Sequence, residues 1–329
     1  MTKFKSTVPK KSKEFQNQTE MSTITQEEYK KISEPFKYTT KSILFQVLCS
    51  ILFLTPLRFL LSSILIFFLY FFIFVIRSFV NLFQISSATG RQLCLAISRC
   101  GIRIVLFCFG VSYIKIEGYF DERARFIIAN HVGYLEPFIL LLFHDLCYPM
   151  NASVYSSPII KVLLECLDVI YLPSEPREGE NQDTVRKKRR KLVMEAADDH
   201  TNPPLLIFPE GLRSKTSGDV LMKFNQTAFM SPYYIQPVVI RFTMLGVPDG
   251  LNTYAYKGES LFNYLCRLFT MPFSYLSINL LPPTAMGKSE GMEIEKFTDE
   301  TQLTMANAIG IMAVNKAERE FLSADYVTE

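Results

Sequence analysis

The sequence is poor in the residues that metal and redox chemistry need. It has 3 His and no Trp in 329 residues, and its seven Cys include no Cys-x-x-Cys pair. Cys49, Cys94, Cys100, Cys108, Cys147, Cys166 and Cys266 are scattered, several inside apolar runs, as expected of small buried hydrophobes in a reducing compartment. No disulfide framework and no metal site are therefore expected. Neither His144 nor His200 stands at a metal-ligand spacing from another candidate, so each reads as a surface or internally satisfied residue. A Gly-rich phosphate loop and long repeats are absent too. Charge is also scarce, 20% of residues with a net +3. The one dense basic run, Arg186 to Lys191, is compensated by Glu195, Asp198 and Asp199. It reads as a solvated helix face, with no nucleic-acid partner expected; near a bilayer it would attract anionic lipid or a nucleotide phosphate.

What is abundant is apolar: 49% of the residues, 28 of them Phe. Much of this excess is gathered between Ile43 and Ile76, where Arg58 is the only charge. One helix of that length would be roughly 50 Å long against a hydrocarbon core of about 30 Å. Pro56 and Arg58 predict a break, hence two helices: either a re-entrant hairpin or one full span preceded by an interfacial helix. No cleavable signal peptide is expected, because a long polar segment precedes the apolar run. Residues 1–42 hold nine Lys and five Glu, predicting a disordered, basic, cytosolic tail. Arg77, Arg91, Arg99 and Arg103 follow the apolar run and argue that its far end is cytosolic as well, which favours the hairpin. The segment 91–110 is expected to lie at the membrane surface with its arginines at the head groups.

Beyond the anchor the period changes. Short runs at 112–118, 125–129, 205–208, 234–242 and 276–283 have strand character, and helix-like segments at 137–147, 157–167 and 183–200 lie between them. This alternation predicts an α/β domain with a mostly parallel mixed sheet flanked by helices.

At the end of one such strand stands "NHVGYLEP", residues 130–137. His131 and Glu136 would diverge by about 140° on a continuous helix, so they can meet only across a turn. Gly133 permits that turn, while Pro137 suits the first helical position and leaves Glu136 near the N-cap. A carboxylate accepting the Nδ1 proton leaves Nε2 free to take a proton from a hydroxyl. A second strand-end turn, "LLIFPEGLRS" (205–214), carries Glu210, Gly211 and Arg213, and a guanidinium there suits a phosphate oxygen.

Together these residues resemble the glycerophospholipid acyltransferase superfamily, most closely its lysophosphatidylcholine and lysophosphatidylethanolamine branch, from about Leu93 to Pro283. His131 matches the family's His-x4-Asp histidine, "FPEGLRS" its Phe-Pro-Glu-Gly-Thr-Arg-Ser block, and "QPVVIRF" its later block around Pro237. The resemblance implies transfer of a fatty acyl group from acyl-CoA, a co-substrate rather than a cofactor, to a hydroxyl of a lysophospholipid. In that scheme His131 is the general base and Glu136 orients it; Glu210 and Gly211 position the acceptor, and Arg213 binds its phosphate. The chain then divides into a tail (1–42), a membrane anchor (43–90), an acyltransferase domain (91–287) and a C-terminal helical segment (288–329), with the endoplasmic reticulum as the implied membrane. Three departures stand out. Glu136 replaces the usual Asp, Pro173 lies near an expected arginine with Arg177 the first to follow, and Asn225 and Thr227 in "KFNQTAF" replace Lys and Gly. These departures keep two alternatives open: a catalytically weak relative that binds membranes, and a CoA-independent phospholipid transacylase.

Overall fold

The computed structural model describes residues 17–33, 39–52, 54–83, 87–131, 133–152, 168–173, 181–211, 220–244, 261–271, 273–285, 293–317 and 320–321. The expected helix at 157–167, Arg177 and Arg213 lie outside these residues. The five expected strands form as β1 (Val111–Glu117), β2 (Ala124–Ala129), β5 (Leu205–Ile207), β7 (Tyr234–Met244) and β8 (Ser274–Leu280). Two further strands join them, β3 (Cys147–Asn151) and, at one edge, β4 (Asp168–Leu172). β3 takes the end of the segment read as helix 137–147, because the helix there, Glu136–Leu141, stops at residue 141. The sheet order is β1-β8-β7-β2-β5-β3-β4, parallel throughout except for the β7–β8 pair.

β2 is buried at every position, as a central strand covered on both faces must be. Its residues alternate between two cores. Ile127 and Ala129 pack under α4 (Ser87–Cys108), α5 (Glu136–Leu141) and α7 (Leu261–Phe269) through Leu106, Ile139 and Leu268. Phe126 and Ile128 pack under α6 (Gln182–Asp198) and α8 (Ile294–Ile309) through Val193, Met305 and Ile309. Arg125, 8% exposed, donates to the carbonyls of Ala197, Asn202 and Asp199, so a cation satisfies the acceptors at the end of α6.

Of the segment predicted to be a disordered tail, the described residues 17–33 and 39–42 are folded. Ser22 bridges Val314, Gln18 bonds Asn307 and Ile311, and Tyr29 of α1 (Gln26–Ser33) is fully buried against Phe321. Apolar Ile24 and Tyr29, few but well placed, outweigh the surrounding charge. The C-terminal helical segment is likewise integral: α8 closes one core, and β9 (Met312–Ala313) pairs with β6 (Val220–Leu221) in a small second sheet.

The first helix of the apolar run, α2 (Thr40–Ile51), ends with Leu52 as its C-cap, ahead of Pro56, and α3 (Leu54–Leu82) carries Pro56. Pro56 falls in the first turn of α3, where its missing N–H costs no hydrogen bond. A single helix, Thr55–Leu82, is long and apolar enough to cross a membrane among the described residues; α2 is too short. α3 packs antiparallel on α4. A Cβ on Gly101 would approach Leu69, and one on Gly90 would approach Val80, each at 2.9 Å, a pairing that runs in opposite directions along the two helices.

The arginines of α4 face the domain, not lipid head groups. Arg99 bonds the Leu141 carbonyl and Asp145, Arg91 pairs with Asp168, and Arg103 donates to the carbonyls of Val111 and Ser112. Acids and carbonyl groups at strand starts supply the partners. Gly110 (φ 86) then turns α4 into β1, and a Cβ there would sit 2.7 Å from the Met271 carbonyl oxygen. Gly110→Ala is expected to lower stability by at least about 1–2 kcal/mol from the left-handed backbone alone, measured as the thermal midpoint in detergent.

Candidate active site

β2 and β5 are neighbouring parallel strands, so the turns that follow them open at the same edge of the sheet. Asn130, 3% exposed, fixes the first turn: its amide donates to the Ile240 carbonyl (2.9 Å) and accepts from the Ile240 N–H (2.8 Å). This two-way bond ties the end of β2 to β7. His131 follows immediately, and its Nδ1 lies 3.2 Å from Glu136 Oε2. The imidazole side chain is 19% exposed and the carboxylate fully buried.

Glu136 is one place further into the helix than its sequence suggests. The N-cap is Leu135, which makes no side-chain cap bond; Glu136 is the first helical residue and Pro137 the second. Pro remains tolerated there because the first-turn N–H groups have no helical acceptor. From this position the longer acid reaches back over the turn to the imidazole. Its Oε1 is buried with no hydrogen-bond partner among the described residues, so its named polar contact is the histidine. A carboxylate on Nδ1 favours the tautomer with the proton there and leaves Nε2 as the acceptor.

The second turn arrives beside the first. The Phe208 ring stacks on the His131 imidazole at 4.1 Å. Phe208 is a site residue the sequence reading passed over, although it opens the quoted "FPEG" block. Gly211 closes the turn with φ 79, donating its N–H to the Phe208 carbonyl, and a Cβ there would meet nothing within 4 Å among the described residues. The Glu210 carboxylate accepts the Met222 N–H (3.1 Å), fastening the turn to β6. Glu210 therefore organises the turn, whatever it also does for a ligand. Tyr134, between His131 and Glu136, packs edge-on against Tyr264 of α7 at 4.9 Å.

Two of the departures have a local explanation. Asn225 accepts from the Thr227 N–H and hydroxyl and donates its own N–H to the Pro209 carbonyl, so the pair builds a turn braced against the "FPEG" segment. Pro173 offers its carbonyl to Arg189 of α6, tethering the end of β4 to the basic helix. His144 and His200 pack on the rings of Phe120 and Tyr233. Burial lowers the pKa of His144. Among the described residues no cluster of metal-ligating side chains occurs.

Residues 114–241 match the acyltransferase family model. The matched segment is less than half of the chain. It is 27% identical over 237 residues to the lysophospholipid acyltransferase LPEAT2 of Arabidopsis thaliana, covering 71% of this chain and 41% of that protein. It is 29% identical over 245 residues to the lipid droplet-regulating VLDL assembly factor AUP1 homolog of Caenorhabditis elegans, covering 74% of this chain and 57% of that protein. The chain thus spans about half the length of these relatives. In fold it resembles the crystal structure of the 1-acyl-sn-glycerophosphate acyltransferase PlsC from Thermotoga maritima. That match has a TM-score of 0.56 at 16% identity, covering 78% of this chain and 94% of the other. The segment that matches the acyltransferase model contains His131, Glu136, Phe208, Glu210 and Gly211.

Proposed function

We propose that this protein is a membrane-bound acyltransferase that moves a fatty acyl group from acyl-CoA to a free hydroxyl of a lysophospholipid. The observation that carries the proposal is the His131–Glu136 pair, 3.2 Å apart and stacked on Phe208 of the second turn. His131 Nε2 takes the proton of the acceptor hydroxyl as its oxygen attacks the thioester carbonyl. The buried Glu136 carboxylate stabilises the imidazolium that forms. Collapse of the tetrahedral intermediate breaks the carbon–sulfur bond, and the proton passes from His131 to the departing CoA sulfur. Arg213 and the turn at Gly211 receive the acceptor phosphate in this reading.

The apolar helices α2 and α3 attach the domain to the bilayer, with the endoplasmic reticulum as the membrane and the N-terminal segment on its cytosolic side. Arg91 and Arg103 fasten α4 to the domain over about 18 Å of helix, and α3 lies against α4. An upright α3 would draw that flank of the domain, with Asp145 and Asp168, into hydrocarbon. An anchor lying along one leaflet avoids this cost, in keeping with the hairpin reading rather than a full span.

The test is purified full-length protein in detergent, supplied with labelled acyl-CoA and a panel of lysophospholipids. New diacyl lipid matched by free CoA is the expected result. Turnover without CoA would instead identify a transacylase. A second reading is favoured by the similarity to the AUP1 homolog and by Glu136 in place of Asp: a family member that binds lipid surfaces without turnover. Binding to vesicles with no transfer to any acceptor would select it.

A further inference from the structure

The basic run of α6 is less compensated in the fold than in the sequence. Asp198 accepts the Tyr233 hydroxyl and Asp199 accepts the Thr201 N–H and hydroxyl, so both acids are engaged at the far end of the helix. Glu195 comes no nearer to Lys191 than 3.6 Å, and Asp183 no nearer to Arg186 than 3.4 Å, all four side chains being exposed. Such pairs contribute little. Lys187 and Lys191 stand four apart on one face, Arg186 and Arg190 on another, and like charges at that spacing destabilise a helix. The last turn of α6 carries acids and no base, the reverse of what its dipole favours. The charge is thus arranged against the helix that bears it.

A groove of about 450 Å³ opens between α6 and the end of β4. Tyr171, Pro173 and Leu192 give it an apolar floor, Lys188 and Lys191 a basic rim, and Glu195 a carboxylate one turn further along the helix. Phe126, Leu205, Cys147 and Asp168 are register partners across four parallel strands, and His131 and Pro173 stand equally far beyond the first and last of them. The groove therefore lies at the sheet edge that carries the histidine turn, three strand spacings or about 14 Å away.

Cations, an apolar floor and a carboxylate along one groove match a phosphorylated nucleoside: phosphates on the lysines, the base on the floor, and ribose or amino donors toward Glu195. The opposite faces of the sheet decide against a bilayer lipid. α6 packs with Phe126 and Ile128, whereas α4, on which α3 lies, packs with Ile127 and Ala129, so the sheet separates the basic helix from the apolar anchor. We propose that this groove holds the nucleotide end of acyl-CoA, an inference that rests on the acyl-transfer reading for its choice of nucleotide. Arg189 meets Pro173 at the end of β4, and Ala197 meets Arg125 at the start of β2, so α6 runs away from the histidine edge. The phosphates on Lys187, Lys188 and Lys191 then lie nearer His131 than the base does. An extended pantetheine arm is about 15 Å long, at roughly 3.5 Å for every three chain bonds, and it spans the remaining distance to the histidine.

The test measures CoA binding to the full chain in detergent by titration calorimetry, beside the KM for acyl-CoA. Lys187→Gln/Lys191→Gln is expected to weaken CoA binding by about tenfold or more and to raise KM by a similar factor with kcat little changed, because charge-assisted bonds to phosphate are lost. Arg186→Gln/Arg190→Gln removes the same charge from a face that does not line the groove and should change either quantity by less than about threefold. Equal losses in the two double variants would reduce the effect to net charge and overturn the proposal. Displacement of CoA by an equal concentration of dihexanoyl phosphatidylserine would overturn it too, by making the site a lipid site. Acyl transfer with an unchanged KM in the lysine variant would sink the groove and leave the transfer reading standing. CoA binding that depends on Lys187 and Lys191 in a protein that transfers to no acceptor would uphold the groove and remove the transfer reading.

Discussion

His131→Ala should lower acyl transfer by about 10²- to 10⁴-fold, the range associated with losing a positioned general base, while leaving membrane attachment unchanged. His131 lies outside α2 and α3, the helices whose apolar surfaces carry the attachment in this reading. The imidazole is, however, the named partner of a fully buried carboxylate, so its removal should also cost about 1–3 kcal/mol of stability. His131→Gln separates the two effects: its amide can still donate to Glu136, but it cannot accept a proton from a hydroxyl. A Gln variant that melts like the wild type and remains inactive assigns the base. Activity within threefold of wild type in that variant would exclude it.

The structure also gives a sign for Glu136→Asp. The His131–Glu136 contact, at 3.2 Å, is already at the long end of a hydrogen bond, and Glu136 is held as the first residue of α5 with Pro137 behind it. Shortening the acid by one methylene withdraws the carboxylate by about 1.5 Å. Asp should therefore reduce the rate tenfold or more, equivalent to about 1.4 kcal/mol in the barrier. Restored or increased activity in Glu136→Asp would mean that the turn readjusts to the acid usual in the resembled family.

Much of this arrangement was legible from local chemistry. Five strands were visible as short apolar runs, and the turn at Asn130 to Pro137 followed from Gly133, Pro137 and the inability of His131 and Glu136 to meet on a helix. What escaped the sequence depended on distant partners. The tail looked disordered because its charge outnumbers its apolar residues, yet Ile24 and Tyr29 find Val220, Met222 and Phe321 some 200 to 300 positions away. The arginines of α4 looked like head-group ligands because Asp145 and Asp168 reach them only through the folded sheet. Phe208 lay within the quoted motif, but its role became evident only when its ring was found on His131. The apolar run revealed a break but not its place, since a proline in the first turn of a helix and one that ends a helix look alike in sequence.

Tyr29→Ala should produce the largest loss of stability, and it links the N-terminal segment to the site. Tyr29 is fully buried, stacked on Phe321 at 4.4 Å, and packed with Ile24, Val220, Met222 and Val314. Truncating a buried aromatic side chain costs about 3–5 kcal/mol, because the space left behind closes only in part. The loss should travel in one direction. Met222 donates its N–H to Glu210, and Gln302, itself fully buried, holds the Leu221 and Val314 carbonyls with its amide and accepts from the Phe224 N–H. Loosening this cluster frees the strand that fastens the Glu210 turn, whereas His131 and Glu136 are held separately through Asn130 and α5. Tyr29→Ala should therefore raise KM for the lysophospholipid more than it lowers kcat at temperatures where the domain stays folded. Tyr29→Phe, which keeps the stacked ring, should restore most of both stability and KM. A Tyr29→Ala protein whose melting temperature falls while KM stays unchanged would show that the N-terminal segment stabilises the domain without positioning the Glu210 turn.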